Sequence, residues 1–525
     1  MTATLTPSPP APQPAEGAER SGRGGFSRTL HAEWTKFRTV RGWVLAMAGA
    51  LLVTIAVGLL GTAAPAPGGR GHSASYPQGP DGEPVNDSFS FVHKTLTGDG
   101  AITVRLGSLT GTADSGNGDT TESLPPWAKA GIIVKESLVP GSPYAAVMAT
   151  GGHGVRMQDD YTHDKAGLPG MVSHESPRWL RLVRTGDRLT GSVSADGSTW
   201  TEIGTARLLG SAPTVQAGLF ATTPQAKNDT SAGPGFSPAV ATGTFGRPDL
   251  VGDWSPGDWT GVQVGGDAGT SGSYTNTLRG GFAPADGGGF TVTGAGDIAP
   301  VVGGPVMGDG YAVENFLVGT FAGLIVMIAV GTVYITGEYR RGLLRTTIAA
   351  TPLRGRVLAA KALVAGGVAG AIGLVAAAIT VPIGAGSARG RGFHVFPVPA
   401  ATELRVMAGT GLLCAAAVVL ALGVGVLLRR TGTAVALVVG SIVLPFVLAT
   451  SGVLPVGASE WLLRVTPAAG FAVQQTLPRY AQVVSVYEPS TGYYPLAPWA
   501  GFCVLCGYAA LAFVLASVRL RRRDV

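Results

Sequence analysis

Cysteine and charge are both scarce in this chain of 525 residues. The three cysteines, Cys414, Cys503 and Cys506, lie within long apolar runs, so a soluble domain has none with which to form a disulfide. The spacing of Cys503 and Cys506 matches a redox or metal pair, but a zinc site needs further ligands and a redox site needs access. We therefore interpret these cysteines as small apolar residues of membrane-spanning helices.

Charged residues make up only 13% of the chain and the mean hydropathy is +0.30, values typical of membrane proteins. The formal net charge of +6 comes from arginine clusters beside the apolar runs. The positive-inside rule and anionic lipid headgroups both favour arginine there, and no basic folded domain is evident. Membrane lipids are therefore expected partners, whereas nucleic acid is not.

Six apolar runs are long enough to cross a hydrocarbon layer about 30 Å thick. They lie at about 43–61, 316–336, 362–384, 406–428, 431–456 and 496–517. As delimited, they contain no Asp, Glu, Lys, Arg or His, although ion-coupled transporters use such residues inside the membrane. Arginines concentrate beside alternate ends of the runs. This distribution predicts a multi-pass protein of the cell membrane with both termini cytoplasmic.

The remaining sequence divides into a tail, an interfacial helix and one large insertion. Residues 1–25 lack periodic apolar residues and are predicted to be a disordered cytoplasmic tail. From Phe26 to Val40 apolar residues recur at spacings of three and four, which predicts an amphipathic helix at the membrane surface. This helix and the first span form a unit at 26–61, and the other five spans fall within 314–525.

The insertion, residues 62–313, is predicted to lie outside the cell membrane. It contains alternating apolar and polar residues, as in Trp179–Arg184, separated by Gly, Pro, Asn and Asp. Asp196-Gly197 between two such segments indicates a tight hairpin turn. No helical periodicity is evident, so we expect a two-sheet β-sandwich.

A phosphate loop of the form G-x-x-x-x-G-K-[ST] is absent from the sequence. The chain therefore does not bind ATP by that route, and its uncharged spans provide no ion relay. If the protein does work, the energy must come from a partner.

The order of elements resembles that of type-2 ABC transporter permeases, in particular the actinobacterial exporter permeases. Four segments carry this resemblance, namely Leu30–Arg38, Gly337–Gly342, Thr346–Pro352 and Thr466–Gln475. In that family the loop after the second span forms a coupling helix that docks on a separate ATPase subunit. The resemblance implies a permease subunit of an ATP-driven exporter, paired with a second permease subunit as a homodimer or heterodimer. It also implies a coupling loop at 337–361 and no cofactor in this chain, since the partner binds the ATP.

The resemblance further implies a set of ATPase-contacting residues in the coupling loop. They are Glu338, Tyr339, Arg340, Arg341, Arg345, Thr351, Pro352, Arg354 and Arg356. The positive-inside rule alone would account for the arginines. The Thr346-Thr347 pair and the Thr351-Pro352 break predict in addition a short helix with a defined end, which membrane orientation does not require.

Three motifs in the insertion resemble concanavalin A-like lectin/glucanase sandwiches, which have a jelly-roll fold. They lie at 127–136, 176–187 and 194–200. Such domains often bind glycans, and the resemblance implies that Trp127, Trp179 and Trp200 stack on sugar rings of a cell-surface glycan. Tryptophans at alternating strand positions are, however, more often core residues. A membrane-anchored glycan-binding or sensing protein is accordingly the alternative to an exporter permease.

A cluster of acidic residues and histidines in the insertion is the candidate for catalysis or metal binding. Its members are Asp159, Asp160, His163, Asp164, His174 and Glu175. Their spacing matches no established metal site, so we predict a solvated loop and no metal. A cell-surface hydrolase that uses this cluster is a further alternative, but we expect a transport subunit and not an enzyme.

Overall fold

The computed structural model describes residues 21–63, 76–115, 119–208, 212–230, 233–265, 280–302, 310–340 and 354–522. Within these ranges the chain forms a helical part and a β-sandwich inserted between its second and third helices. The helices are α1 Ser21–Thr39, α2 Arg41–Ala63, α3 Thr320–Arg340, α4 Arg354–Gly390, α5 Ala400–Leu428, α6 Thr431–Thr450, α7 Val456–Val465 and α8 Pro498–Arg522. Six of them, α2 to α6 and α8, are long and apolar enough to cross a membrane.

The prediction of six spans and one inserted sandwich is confirmed, with two spans of different length. The third, α4, begins at Arg354 and extends over 37 residues, because the basic residues before the apolar run continue the helix. The fifth, α6, ends at Thr450 rather than near Val456. Gly452 has a positive φ of 73° and Pro455 follows it, and both end a helix.

Small residues set the distance between α4 and α5. A Cβ atom at Gly411 would lie only 2.7 Å from the backbone oxygen of Gly370, and one at Gly373 would lie 2.9 Å from the sulfur of Cys414. Without side chains at these positions the two backbones approach closely, and van der Waals contact replaces the hydrophobic effect as the source of helix association.

Within its described ranges, the inserted domain contains nineteen strands. They are β1 Val85–Asp87, β2 Phe89–Asp114, β3 Thr120–Glu122, β4 Lys129–Lys135, β5 Tyr144–Thr150, β6 Val155–Asp159, β7 His163–Ala166, β8 Arg178–Thr185, β9 Arg188–Ser194, β10 Thr201–Arg207, β11 Thr214–Thr222, β12 Ala226–Thr230, β13 Gly233–Ser237, β14 Ala239–Phe245, β15 Asp249–Trp254, β16 Thr260–Val264, β17 Gly281–Ala285, β18 Gly289–Gly294 and β19 Ile298–Pro300. Fifteen of them form one sheet, while β1 pairs with β19 and β12 with β13.

The fifteen-stranded sheet folds over on itself along β2, which is 26 residues long. The first half of β2 pairs with β11 and β16, and its second half pairs with β8 and β14. One layer therefore continues from β11 through β4, β5 and β6 to β7, and the other from β8 through β9 to β10. All these pairings are antiparallel.

The two layers pack face to face around an apolar core. Leu180 and Leu182 of β8 share this core with Ile132 of β4 and Val147 of β5. A Cβ atom at Gly191 of β9 would lie 2.5 Å from Cγ2 of Val147, so only glycine permits this approach of the layers. The predicted two-sheet sandwich is thereby confirmed.

Buried ion pairs attach the ends of the inserted domain to its centre. Lys135 Nζ of β4 donates to Asp87 Oδ2 of β1 at 2.7 Å, and the Tyr161 hydroxyl donates to the same oxygen at 2.8 Å. Lys129 Nζ, also of β4, donates to Asp297 Oδ1 at 2.8 Å, just before β19. Both lysines are fully buried. These pairs hold in place the two segments through which the sandwich joins the helical part.

The segment between α6 and α8 caps the helices at the end that carries the sandwich. It contains α7 and two 3₁₀ helices, Pro467–Gln474 and Pro489–Thr491. Gln482 Nε2 donates to the backbone oxygen of Thr162 at 3.1 Å, and Thr476 N donates to Glu314 Oε1 at 3.1 Å. The sandwich is thus in direct contact with the helical part.

Candidate functional site: a buried ion cluster

Three helices, α1, α3 and α4, meet at the end of the helical part opposite the sandwich. Each contributes at least one charged side chain to the contact between them. On α1, Glu33, Lys36 and Phe37 are three and four positions apart and therefore lie on the same side. On α3, Tyr334 and Glu338 are four positions apart and likewise share a face. We name Glu33, Lys36, Glu338 and Lys361, with the Tyr334 hydroxyl, the ion cluster.

Lys361 of α4 is the centre of the ion cluster. Its Nζ donates to Glu33 Oε2 at 2.7 Å and to Glu338 Oε1 at 2.8 Å. The lysine is fully buried, and Glu33 and Glu338 are 4% and 3% exposed. A buried ammonium needs compensation by opposite charge, and the two carboxylates supply it from two different helices. One side chain thereby joins α1, α3 and α4.

Aromatic rings enclose the ion cluster. The Tyr334 hydroxyl donates to Glu33 Oε2 at 2.6 Å, and Lys361 Nζ lies 4.6 Å from the centre of the Tyr334 ring. Phe37 and Trp43 pack edge-on against the same ring at 5.6 and 4.9 Å between ring centres. The rings exclude water, which strengthens each ionic contact, and the Tyr334 face adds a cation–π attraction.

Lys36 completes the charge balance at the edge of the ion cluster. Its ammonium pairs with Glu338 Oε1, so two carboxylates face two ammonium groups. Burial lowers the pKa of Lys36, and the neighbouring Lys361 ammonium lowers it further. Because each carboxylate is paired with an ammonium, the arrangement is suited to holding helices in position rather than to relaying protons.

The ion cluster flanks the segment 341–353, which lies outside the described residues. Glu338 is two residues before the end of α3, and Lys361 is seven residues after the start of α4. The cluster therefore connects α1 to both ends of the predicted coupling loop.

The predicted ATPase-contacting residues occupy different environments. Arg340 and Arg356 are exposed, while Tyr339 is half-buried beneath Arg429, whose guanidinium carbon is 5.1 Å from the ring centre. Arg354 Nη1 donates to the backbone oxygen of Leu520 in α8 at 2.8 Å. Glu338 is buried in the ion cluster. The remaining members, Arg341, Arg345, Thr351 and Pro352, lie outside the described residues, and their contact with an ATPase stays a prediction.

The three tryptophans predicted to stack on glycans also differ. Trp127 is 6% exposed and stacks on His153 with ring centres 4.1 Å apart, so it packs inside the sandwich. Trp179 and Trp200 are half-buried, and the Arg181 guanidinium covers Trp200 at 3.8 Å from the ring centre. Glycan binding stays a prediction, and only Trp179 and Trp200 present a ring to solvent.

The prediction of a solvated loop is wrong for part of the acidic and histidine cluster, because Asp159 is a buried residue of β6, and His163 and Asp164 belong to β7. Asp159 Oδ2 lies 3.1 Å from His163 Nδ1, and Asp164 pairs with Arg156. His174 and Glu175 are exposed. Within the described ranges no group of three or more His, Cys, Asp or Glu residues is arranged to hold a metal ion.

Sequence reasoning did not identify Glu33, Lys36 and Tyr334 as members of a site. The sequence signal that could have found the site is Glu33, because it is the lone acid of α1, among three arginines and one lysine, and lies on the helix face next to the apolar side chains. A carboxylate that packs among apolar side chains needs a cation as its partner. Lys361, directly before the third apolar run at 362–384, is a lysine in a position to supply it. Their pairing depends on the packing of α1 against α4, which no local pattern contains.

The fold defines a polytopic helical membrane protein with an inserted β-sandwich. The family model described as ABC-2 family transporter protein matches residues 215–525, and the chain belongs to this family. It is therefore a transport subunit of the membrane, of a family that has no ATPase domain of its own and whose membership implies an ATPase partner. The match begins within β11 of the sandwich and includes α3 to α8.

A comparison with curated proteins gives no match. Among solved structures, a functionally unknown protein from Saccharomyces cerevisiae is 19% identical, with a TM-score of 0.21, over 32% of this chain and 76% of that one. Scytalido-glutamic peptidase with a transition state analog inhibitor is 10% identical, with a TM-score of 0.25, over 41% of this chain and 100% of that one. The GH43 BlXynB protein from Bacillus licheniformis is 14% identical, with a TM-score of 0.19, over 30% and 28% of the two chains. TM-scores this low carry no argument about function.

Proposed function

We propose that this chain is the permease subunit of an ATP-driven exporter. A separate ATPase subunit docks on the coupling loop at 337–361, and its ATP-driven closure displaces that loop. The ion cluster passes the displacement to α1, α3 and α4, which tilt and open a path toward the side that carries the sandwich. The chain itself contributes no catalytic residue, and the ATP is bound by the partner.

The observation that carries this proposal is the position of the ion cluster. It joins an interfacial helix to both flanks of one loop, through side chains that are withdrawn from solvent. A loop that only satisfied membrane orientation would not need its flanks fixed to a third helix. A loop that transmits a movement to the helices needs fixed flanks, because flexible flanks would absorb the movement before it reached the helices.

The orientation belongs to the same proposal. The exposed Arg340 and Arg356 lie at the end of the bundle opposite the sandwich, and α8 ends there with Arg519, Arg521 and Arg522. The positive-inside rule favours placing this end in the cytoplasm, which puts both termini there and residues 62–313 outside the cell. A second permease subunit, identical or related, would complete the transport path.

The docking of an ATPase is tested by charge reversal at the two exposed arginines of the loop flanks. Arg340→Glu combined with Arg356→Glu should reduce the recovery of a phosphate-loop ATPase from native membranes at least about tenfold, because reversed charges repel the surface that the arginines attract. The ATPase is identified by mass spectrometry, and the ATP hydrolysis of the purified complex is measured alongside.

The matched control makes the same change in charge on the sandwich. Arg188 and Arg207 are exposed and lie opposite each other on β9 and β10. Arg188→Glu combined with Arg207→Glu should leave recovery and hydrolysis unchanged. Equal ATPase recovery with wild type and with the loop variant would contradict docking at this loop.

A further inference from the structure

A cavity of about 700 Å³ lies where the sandwich meets the helical part. The sandwich contributes the turn 81–84 before β1, the Thr162 turn and the segment 300–302 after β19. The helical part contributes the start of α5 with the preceding loop 396–399, and the segment 476–480. Its volume is within the range of about 300–1,000 Å³ that small-molecule sites occupy. We name it the junction cavity.

Apolar and aromatic side chains form most of its wall. Val301, Phe396 and Leu477 line it with buried side chains, and Tyr480 lines it with a half-exposed ring. Prolines on both sides of the cavity keep the backbone stiff without adding hydrogen-bond donors. Such an apolar lining favours a hydrophobic ligand. Because the backbone of the wall is already stiff, little conformational entropy is lost when the ligand binds.

The charge of the lining has one sign. Asp81 and Glu83 are acidic, and no lysine, arginine or histidine is among the described residues that line the cavity. The two carboxylate oxygens of Glu83 are shielded from solvent and have no partner with hydrogen-bond geometry. Burial raises the pKa of Glu83, the Asp81 carboxylate adds to this, and nearby backbone amides oppose it only in part. Burial also raises the pKa of Tyr480, and the charge of Glu83, which lines the same cavity, adds to it.

From this geometry we propose that the junction cavity binds a hydrophobic organic cation. The ligand places its charge near the exposed Asp81 carboxylate, within the electrostatic field of the shielded Glu83 carboxylate, and its apolar body against Phe396, Leu477 and Tyr480. A shielded carboxylate without a hydrogen-bond partner is stabilised by a nearby positive charge. A hydrophobic organic cation supplies this charge together with apolar groups that pack against the cavity wall. The Tyr480 and Phe396 rings add cation–π attraction for a cation within about 6 Å.

Binding in the junction cavity is independent of the proposed export mechanism. It is an equilibrium property of the wall that the sandwich and the helices form together, and it needs neither nucleotide nor ATPase. Failure of the ATPase recovery experiment would leave this proposal intact, and the reverse is equally true.

The experiment uses two ions of matched size and opposite charge. The full chain in lipid nanodiscs is titrated with tetraphenylphosphonium and, separately, with tetraphenylborate, and empty nanodiscs give the partition into lipid for subtraction. We expect saturable binding of the cation alone. Asp81→Asn combined with Glu83→Gln should weaken the affinity at least about tenfold, because both attractive charges are removed.

Two further variants separate the site from a general effect of charge or folding. Asp253→Asn removes an exposed carboxylate of β15 and should leave the affinity unchanged. Thr402→Trp at the start of α5 fills the cavity from the helical side and should abolish saturable binding while the Glu83 environment is otherwise kept. Thermal unfolding identifies any variant that fails to fold.

The possible results divide cleanly. Cation-selective binding that both the carboxamide pair and Thr402→Trp reduce supports the proposal. Saturable binding of tetraphenylborate with similar affinity overturns it, as does cation binding that neither variant changes, since the ions would then be partitioning into lipid or occupying another site.

Discussion

Lys361 is a single residue on which three helices depend. Among the residues that the structure describes, Glu33, Glu338 and the Tyr334 ring stabilise its buried ammonium. Removal of one partner from a buried ion pair costs more than the pair itself contributes, because an uncompensated charge remains. The residue is therefore a sensitive point for testing how firmly the helices are joined.

Lys361→Met should lower the free energy of unfolding by about 3–5 kcal/mol, since it leaves two buried carboxylates with the partly exposed Lys36 as their remaining cation. Lys36→Met should cost about 1 kcal/mol or less, because the Lys36 side chain is 30% exposed and water screens its pairing. Denaturant unfolding of the full chain in mixed micelles measures both.

A compensated variant distinguishes charge from packing. Lys361→Met combined with Glu33→Gln and Glu338→Gln removes the unpaired carboxylates and should recover most of the lost stability. Equal stability of Lys361→Met and wild type would show that the ion cluster does not hold the helices together.

At the scale of residues, the sequence predicted positions better than partners. Arg340 and Arg356 are exposed, as the coupling prediction requires, whereas Glu338 belongs to the same predicted set and is buried. Local pattern could not separate them, because the burial of Glu338 depends on α1 and α4, which are distant in sequence. For the same reason Trp127 packs inward while Trp179 and Trp200 reach the surface.

At the scale of elements, α4 and α5 pack closely because glycines at their contact have no side chains. The carbonyl of Gly370 faces Gly411 so closely that any side chain there must move one helix. Gly367 of the same α4 helix has nothing within 4 Å of its would-be Cβ. The pair provides a test with matched chemistry.

Gly411→Val should destabilise the chain by about 1–3 kcal/mol, because the added methyl groups force α4 and α5 apart. Gly367→Val makes the same change in composition and helix propensity in open space and should cost markedly less. Thermal unfolding of both variants in one detergent gives the comparison. If Gly367→Val lowered the stability as much as Gly411→Val, the loss would be due to helix propensity and not to the close contact between α4 and α5.

The elements themselves were largely predictable because membrane spans and half-buried strands have strong periodic signals. Their ends were less so. The prediction of the third span counted only uncharged residues, and α4 continues through Arg354, Arg356 and Lys361, whose long side chains are compatible with a helix. The shared role of β2 in both layers was not predictable, since a strand of 26 residues resembles two strands until its partners are known.

At the scale of the whole molecule, the sandwich is fixed to the helical part by polar contacts as well as by apolar packing. Gln482 is 5% exposed and donates from Nε2 to the Thr162 carbonyl at 3.1 Å and to the Tyr161 carbonyl at 3.5 Å. Tyr161 in turn contacts Asp87, at the start of the sandwich. These contacts connect the segment between α6 and α8 to the first strand of the sandwich.

Gln482→Ala should increase the exchange of backbone amides at residues 160–163 by roughly thirtyfold, because each of the two lost hydrogen bonds contributes about 1 kcal/mol to the stability of this turn. Hydrogen–deuterium exchange of the full chain measures this effect. Gln263→Ala removes side-chain hydrogen bonds within the sandwich and serves as the control, with no expected change at 160–163. Unchanged exchange at 160–163 in Gln482→Ala would show that the turn is held by the sandwich alone.

The long helix α4 connects the two ends of the helical part, so a small change in its angle at one end would cause a larger displacement at the other. The part before Pro382 extends from Arg354 beside the ion cluster over roughly 42 Å. Beyond it the chain leads to the loop 396–399 at the wall of the junction cavity. A tilt of about 5° at the cluster end displaces the far end by roughly 4 Å. If α4 tilts as the proposed mechanism requires, its outer end and the loop 396–399 would move by ångströms although the change in angle at its base is small.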